Sequence, residues 1–231
     1  MVRLEGDYVP FRAGQSVSVT VPRSPHLPRR YSPALPPSLD GKFEFHIRKV
    51  AAGWVSGPIV EDTRVGDVWQ IDDPRGELSV DDSDRDVVMI AGGTGLAPMR
   101  ALVLDLGRRD NPPRVHLIIG GRSPRDLYAA DMLWMLEGQA PWLTVVPVVD
   151  SLDELPFRDP WFERAEIERV AGAPDAGFGI DEIEVGRIDE VVAKWGPYLD
   201  HQVLLCGSPR MADATVRALV DGGTPRNAIL L

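Results

Sequence analysis

Residues Gln15 to Val21 alternate about Val17, Val19 and Val21, the period of two expected of a half-buried strand. Phe43 to Val50 alternates more cleanly still, with Phe43, Phe45, Ile47 and Lys49 on one side, and Val68 to Ile71 is a third short strand. Prolines at 22, 25, 28, 33, 36 and 37 forbid a helix between the first two. Short strands with turn punctuation predict a small antiparallel barrel over residues 8–78.

After an acidic, apolar-poor linker, Ser79 to Asp86, the texture changes. Val87 to Ala91 is a continuous apolar run ending in glycines, as for a strand buried on both faces. Met99, Leu102, Val103 and Leu106 then recur at helical spacing. Val115 to Ile119, Thr144 to Val149 and Val203 to Cys206 read as further strands, with helices over Leu127 to Glu137 and Met211 to Val220. Strands alternating with helices imply a parallel sheet with crossovers. Residues 150–182, with Pro156, Pro160 and Pro174, fit poorly and read as an irregular insert with a short helix near Trp161 to Val170. The expected architecture is therefore two-domain: an antiparallel β-barrel over 1–80 and an α/β, Rossmann-like parallel-sheet domain over 86–231.

Composition narrows the function more than the fold. The 231 residues carry a net charge of −10, yet residues 1–80 hold ten basic and ten acidic groups, so the acidity lies in the remainder. Such a chain has little to offer nucleic acid, and Arg23, Arg29, Arg30 and Arg48 are available to a smaller phosphate. A single cysteine excludes an internal disulfide framework and a cysteine-ligated iron–sulfur cluster. No apolar run reaches the roughly 20 residues of a membrane span, and the N-terminus shows no secretory pattern, so a cytoplasmic location is expected. The four histidines are scattered without metal-ligand spacing.

Three segments carry candidate chemistry. Gly92-Gly93-Thr94-Gly95 joins a buried strand to a helix, where glycines admit a close ligand and free amides attract an anion; Pro98 suits that helix's first turn. The loop lacks the third glycine of the dinucleotide fingerprint and the Walker lysine, so alone it is equally a tight connection. Cys206-Gly207-Ser208-Pro209 stands at the same end of another buried strand, the edge where open α/β sheets bind ligands. His201 lies at that strand's far end, badly placed to activate Cys206, which speaks against a thiol hydrolase. Arg29-Arg30-Tyr31-Ser32 offers cation, aromatic ring and hydroxyl, with Arg29 and Tyr31 on one strand face; a surface arginine pair beside a packed tyrosine is the plainer reading. Gly53 to Ser56 presents amides and a hydroxyl if a helix begins there, and is otherwise a turn.

In this order the three segments resemble the ferredoxin–NADP reductase superfamily, above all the reductase modules of flavohaemoglobins and bacterial oxygenase systems, over residues 8–148 and 186–229. The resemblance implies an FAD site in which Arg29 meets a flavin phosphate, Tyr31 packs on the isoalloxazine and Ser32 lies near its N5. It implies that His46, Ile47 and Arg48, with the turn carrying Gly53, Val55 and Ser56, hold the rest of FAD. Gly93, Thr94, Gly95 and Pro98 match the nicotinamide nucleotide loop. Cys206, Gly207, Pro209 and Met211 match the segment that sets nicotinamide over the flavin, so Ser32 and Cys206 become the candidate catalytic positions. Arg122, Ser123 and Arg125 stand where the adenosine ribose would lie; they could hold a 2′-phosphate, but Arg122 through Tyr128 also resembles NADH-using modules, and NADH is slightly preferred over NADPH.

The implied activity is hydride transfer from NAD(P)H to FAD, then electron release to a partner protein or domain bearing haem or iron–sulfur, or to another acceptor such as a free oxidant. A flavin-binding electron-transfer subunit without NAD(P)H activity and a non-catalytic binding module are the alternatives. Two departures from the family pattern stand out: little room for a strand before Gly14-Gln15, so the first strand is expected to be missing, and an ending Ile229-Leu230-Leu231 without an acidic residue and an aromatic.

Overall fold

The computed structural model describes residues 1–152 and 183–231, save the side chains of residues 125, 130 and 131. The expected insert and its helix near Trp161 to Val170 fall almost wholly outside them. No helix among the described residues is long and apolar enough to cross a membrane. The chain divides into two compact units, residues 1–79 with Leu96–Arg109, and residues 80–95 with 110–231.

The first unit is antiparallel, as the alternation predicts. Its strands are β1 (Val2–Glu5), β2 (Ser16–Val21), β3 (Ser24–Tyr31), β4 (Lys42–Phe45) and β5 (Gln70–Arg75), with a short helix α1 (Ser56–Asp62) between the last two. They form a three-stranded sheet in the order β3-β2-β5 and a β1–β4 pair, and a bridge between Pro33 and Phe45 joins the end of the β3 segment to β4. Every second residue of β2 is buried, and Val17, Val19 and Val21 share a core with Phe11, Phe43, Phe45, Val55 and Ile59. The rings of Phe43 and Phe45 stack at 5.8 Å, and Phe11 stacks on Phe43 at 5.3 Å.

Two expectations change here. A strand does precede Gly14: β1 pairs with β4 in the register Val2↔Phe45 to Glu5↔Lys42, and Val2 and Leu4 pack on the core. Four residues suffice because only the two apolar side chains of Val-Arg-Leu-Glu need cover. The strand expected over Phe43 to Val50 stops at Phe45, since the alternation no longer meets a neighbour: Lys49 and Val50 are exposed and the Val50 amide donates to Ser56 Oγ at 3.1 Å. Helix α2 (Leu96–Leu106) also belongs to this unit.

Among the described residues the second unit forms a six-stranded parallel sheet. Its strands are β6 (Val87–Gly92), β7 (Val115–Gly121), β8 (Leu143–Val149), β9 (Glu184–Val185), β10 (Gln202–Cys206) and β11 (Ile229–Leu230), in the spatial order β11-β10-β6-β7-β8-β9. Among the described residues, helices α3 (Ala130–Gln139), α4 (Ile188–Trp195) and α5 (Pro209–Asp221) also belong to this unit. Val88 and Ile90 of β6 and Val203 and Leu205 of β10 face one core with Ile188, Val191 and Val192 of α4 and Leu219 of α5. The linker is not slack: buried Gln202 accepts from the Asp81 amide at 2.9 Å and donates to Ser83 Oγ at 3.1 Å.

Candidate functional site

In the first unit one group of candidate residues lies on and just after β3. It is an edge strand, so Pro25 and Pro28 leave no ladder bond unmade on its open side. The register Val17↔Tyr31, Ser18↔Arg30, Val19↔Arg29 sends Arg29 and Tyr31 to one face and Arg30 to the other. The two arginines then part company. Arg30 is held by Ser16 and Asp73: its Nη2 donates to the Ser16 carbonyl at 2.7 Å and the Asp73 carbonyl at 3.1 Å, and its Nε to Ser16 Oγ at 3.1 Å. Arg29 is exposed, donates only to the neighbouring Pro28 carbonyl, and has no acidic partner among the described residues. Tyr31 is half-buried, its ring 6.3 Å from that of Phe45; burial raises its phenol pKa, and the Arg29 charge offsets part of the rise. A free guanidinium beside a half-buried aromatic face suits a phosphate-bearing planar ligand. Ser32 follows, half-buried.

Beyond β4, His46, Ile47 and Arg48 separate by environment. Arg48 is exposed without an acidic partner among the described residues, whereas Ile47 packs on the core. The His46 ring is buried, with Nε2 3.1 Å from Glu44 Oε1. The turn that follows is closed by the Gly53 amide on the Val50 carbonyl at 2.9 Å, and a helix does begin there: the Gly57 amide reaches the Gly53 carbonyl at 3.1 Å. Val55 lies in the core, Ser56 Oγ is engaged by Val50, and the amides of Trp54, Val55 and Ser56 have no backbone acceptor among the described residues.

In the second unit the chain runs β6, β7, β8, β9 away from one flank of β6 and then returns as β10 on the other flank. That reversal is a topological switch point, and the carboxyl ends of β6 and β10 open the crevice where such sheets bind ligands. Both glycine segments stand there. Gly93 takes a positive φ of 54°, which turns the chain sharply after β6. A Cβ at Gly95 would collide with the Cys206 carbonyl, so the two loops touch through backbone alone. Met211 lies across the junction: a Cβ at Gly92 would sit 3.0 Å from its sulfur, and one at Gly207 would strike it. Thr94 is exposed and Pro98 buried in the first turn of α2. Pro209 opens α5, whose cap Ser208 accepts from the Met211 amide at 3.3 Å. Cys206 is half-buried and burial raises its thiol pKa, so it stands protonated at neutral pH, a packing and proton-holding group rather than a nucleophile.

At the end of β7, Arg122 is exposed but engaged: its Nε donates to Asp126 Oδ2 at 3.0 Å, and its own amide reaches the same oxygen at 3.2 Å. Ser123 is buried. Arg125 lies in the short turn Pro124–Asp126.

Two residues escape a motif reading, Glu44 and Arg100. Glu44 is 2% exposed, yet it meets three cationic or titratable partners: Arg3 Nε at 2.7 Å, Arg100 Nη1 at 3.1 Å and His46 Nε2 at 3.1 Å. The alternation hides it, because a polar residue between Phe43 and Phe45 reads as solvent-facing. Among the described residues no group of acidic, histidine or cysteine side chains could hold a metal ion.

Known proteins align with this division. Residues 3–80 match an oxidoreductase FAD-binding domain and residues 89–160 an oxidoreductase NAD-binding domain. The reductase component of phenol 2-monooxygenase from Pseudomonas sp. (strain CF600) is 30% identical over 215 residues, 93% of this chain and 55% of that protein. The flavohemoprotein of Bordetella pertussis is 30% identical over 232 residues, 96% of this chain and 52% of that one. Among solved structures, the ferredoxin reductase in carbazole 1,9a-dioxygenase is 26% identical with a TM-score of 0.77, over 99% of this chain and 62% of that one. The chain thus spans about half the length of the curated relatives it matches.

Proposed function

The chain belongs to the ferredoxin–NADP reductase superfamily, and from that premise we propose that it is an NAD(P)H-dependent FAD reductase that feeds electrons to a separate acceptor in the cytoplasm. The observation that carries the reading is the pairing, in one chain, of a free arginine and half-buried tyrosine within the FAD-matching segment and a glycine loop at the switch point of the NAD-matching one. Bound together, the two cofactors supply hydride transfer to flavin N5 and electron release from the flavin in single steps.

The protein's share is binding and alignment. Arg29 and Arg48 offset phosphate charge, Tyr31 packs on the flavin ring, and the turn from Gly53 to Ser56 gives amides to the pyrophosphate. Ser32 would help to hold the flavin ring. Gly93, Thr94 and Gly95 would receive the nucleotide's phosphates, while Cys206, Gly207, Pro209 and Met211 would help to hold the nicotinamide. No side chain has to act as acid or base, in keeping with a thiol held protonated at Cys206. The acceptor is a protein or domain bearing haem or iron–sulfur, as the oxygenase and flavohaemoprotein relatives suggest. With one cysteine, this chain itself ligates no such cluster.

NADH is favoured over NADPH because Asp126 already occupies the Arg122 guanidinium, which a 2′-phosphate would have to take from it. An anaerobic titration of the FAD-loaded protein tests the reading: NADH should bleach the flavin spectrum rapidly and NADPH slowly. A bound flavin that ignores both would overturn it. Asp126→Ser should raise kcat/KM for NADPH relative to NADH by about tenfold, roughly 1.4 kcal/mol of discrimination.

A further inference from the structure

The Glu44 carboxylate is buried on the face of β4 that points away from the Phe43 and Phe45 core, and its main chain and side chain act on the same neighbour. The Glu44 carbonyl accepts the Ala34 amide at 2.7 Å. Its Oε1 holds Arg100 of α2 at 3.1 Å, and the same Arg100 nitrogen donates to the Ala34 carbonyl at 2.7 Å. Ala34, fully buried, is therefore gripped from both sides of its backbone two residues after Ser32. One residue earlier, Pro33 bridges to Phe45. Arg3, opposite Glu44 in the β1–β4 register, and His46 complete the carboxylate's shell. Burial also lowers the His46 pKa, so its ring stays neutral and Glu44 is left as the anion that Arg100 and Arg3 share.

We propose that Glu44 and Arg100 are positioning residues for the flavin segment: together they fix the backbone leaving Tyr31 and Ser32, and so hold the ring and hydroxyl in place for FAD. The inference rests on the FAD reading of that segment. Neither residue touches the cofactor in this scheme; both act through Ala34. A methionine at 100 keeps bulk but removes the hydrogen bond to Ala34 and the ion pair with Glu44, whereas a lysine ammonium can reach for both oxygens.

The test compares the full-length protein with Arg100→Met, Arg100→Lys and Glu44→Gln, by amide hydrogen exchange on the apoprotein and by FAD titration. In Arg100→Met and Glu44→Gln, exchange at residues 31–34 should speed up about tenfold while the β6 and β10 amides keep their protection, and the FAD Kd should rise about tenfold. Arg100→Lys should recover most of both. Exchange at residues 31–34 unchanged, or faster by one common factor throughout the chain, would overturn the proposal, as would an unaltered FAD Kd. If the wild-type protein takes up no FAD, the functional reading falls, and the exchange measurement still decides whether the grip on Ala34 exists.

Discussion

Gly95 shows how much can hang on one missing methyl group. Its Cα lies against the Cys206 carbonyl, so alanine there must push apart the loops that end β6 and β10. Gly95→Ala should raise the NADH KM at least about tenfold with FAD content unchanged, the signature of a lost binding geometry; an unaltered KM, read by steady-state kinetics, would show that the loops need not touch. The glycine loop was legible as a candidate ligand site, but its partner loop was legible only as a separate motif, because nothing in a linear pattern says that the strands ending at Ala91 and Cys206 are neighbours. Arg29 and Arg30 make the same point differently. Adjacent and alike in the sequence, they are separated by the register of β3, which gives one to solvent and any bound phosphate and the other to Ser16 and Asp73.

At the scale of elements, period-two and continuous apolar runs located β2, β6, β7, β8 and β10, because burial on one face or two leaves that imprint directly. They failed where pairing rather than burial makes the strand. β3 carries two prolines and is exposed along most of its length, so only its position at a sheet edge makes it a strand. Helix α4 went unread, although Ile188, Val191, Val192 and Trp195 recur there at helical spacing. β4 carries a pH consequence. Burial lowers the His46 pKa below its ordinary 6.5, so acid protonates the unfolded chain first and stability falls as pH drops below that value. For Glu44, burial alone would raise the pKa, but the Arg3 and His46 hydrogen bonds and the Arg100 charge bring it below the ordinary 4.5, so its contribution is full above 4.5 and lost on further acidification. Thermal melts from about pH 8 to about pH 4 should show a decline in two stages, and His46→Gln should abolish the upper one. A Tm in His46→Gln that tracks wild type at every pH would assign the decline to other groups.

Over the whole molecule, the two-part plan was readable because the halves have different textures, short alternating strands against long apolar ones with helices between. Where one unit yields to the other along the chain was not readable in full. Helix α2 follows β6 directly and shares the spacing of any crossover helix, yet it groups with the first unit, where Arg100 meets Glu44 and Ala34 and Arg108 meets the Pro37 carbonyl. Sequence patterning cannot register this, because it depends on two charged side chains 56 positions apart forming a buried pair. The consequence is practical: the flavin half is not a stretch of chain that scissors can release. A fragment ending at Ser79 would keep the buried Glu44 carboxylate with Arg3 but lose Arg100, and breaking a buried ion pair by removing one partner costs up to about 3–5 kcal/mol, enough to unfold a unit of marginal stability. Expressed alone it should lack a cooperative melt by circular dichroism, and a chain extended through Arg109 should regain one. A fragment ending at Ser79 that melts cooperatively and binds FAD would show that the helix is dispensable to the half it joins.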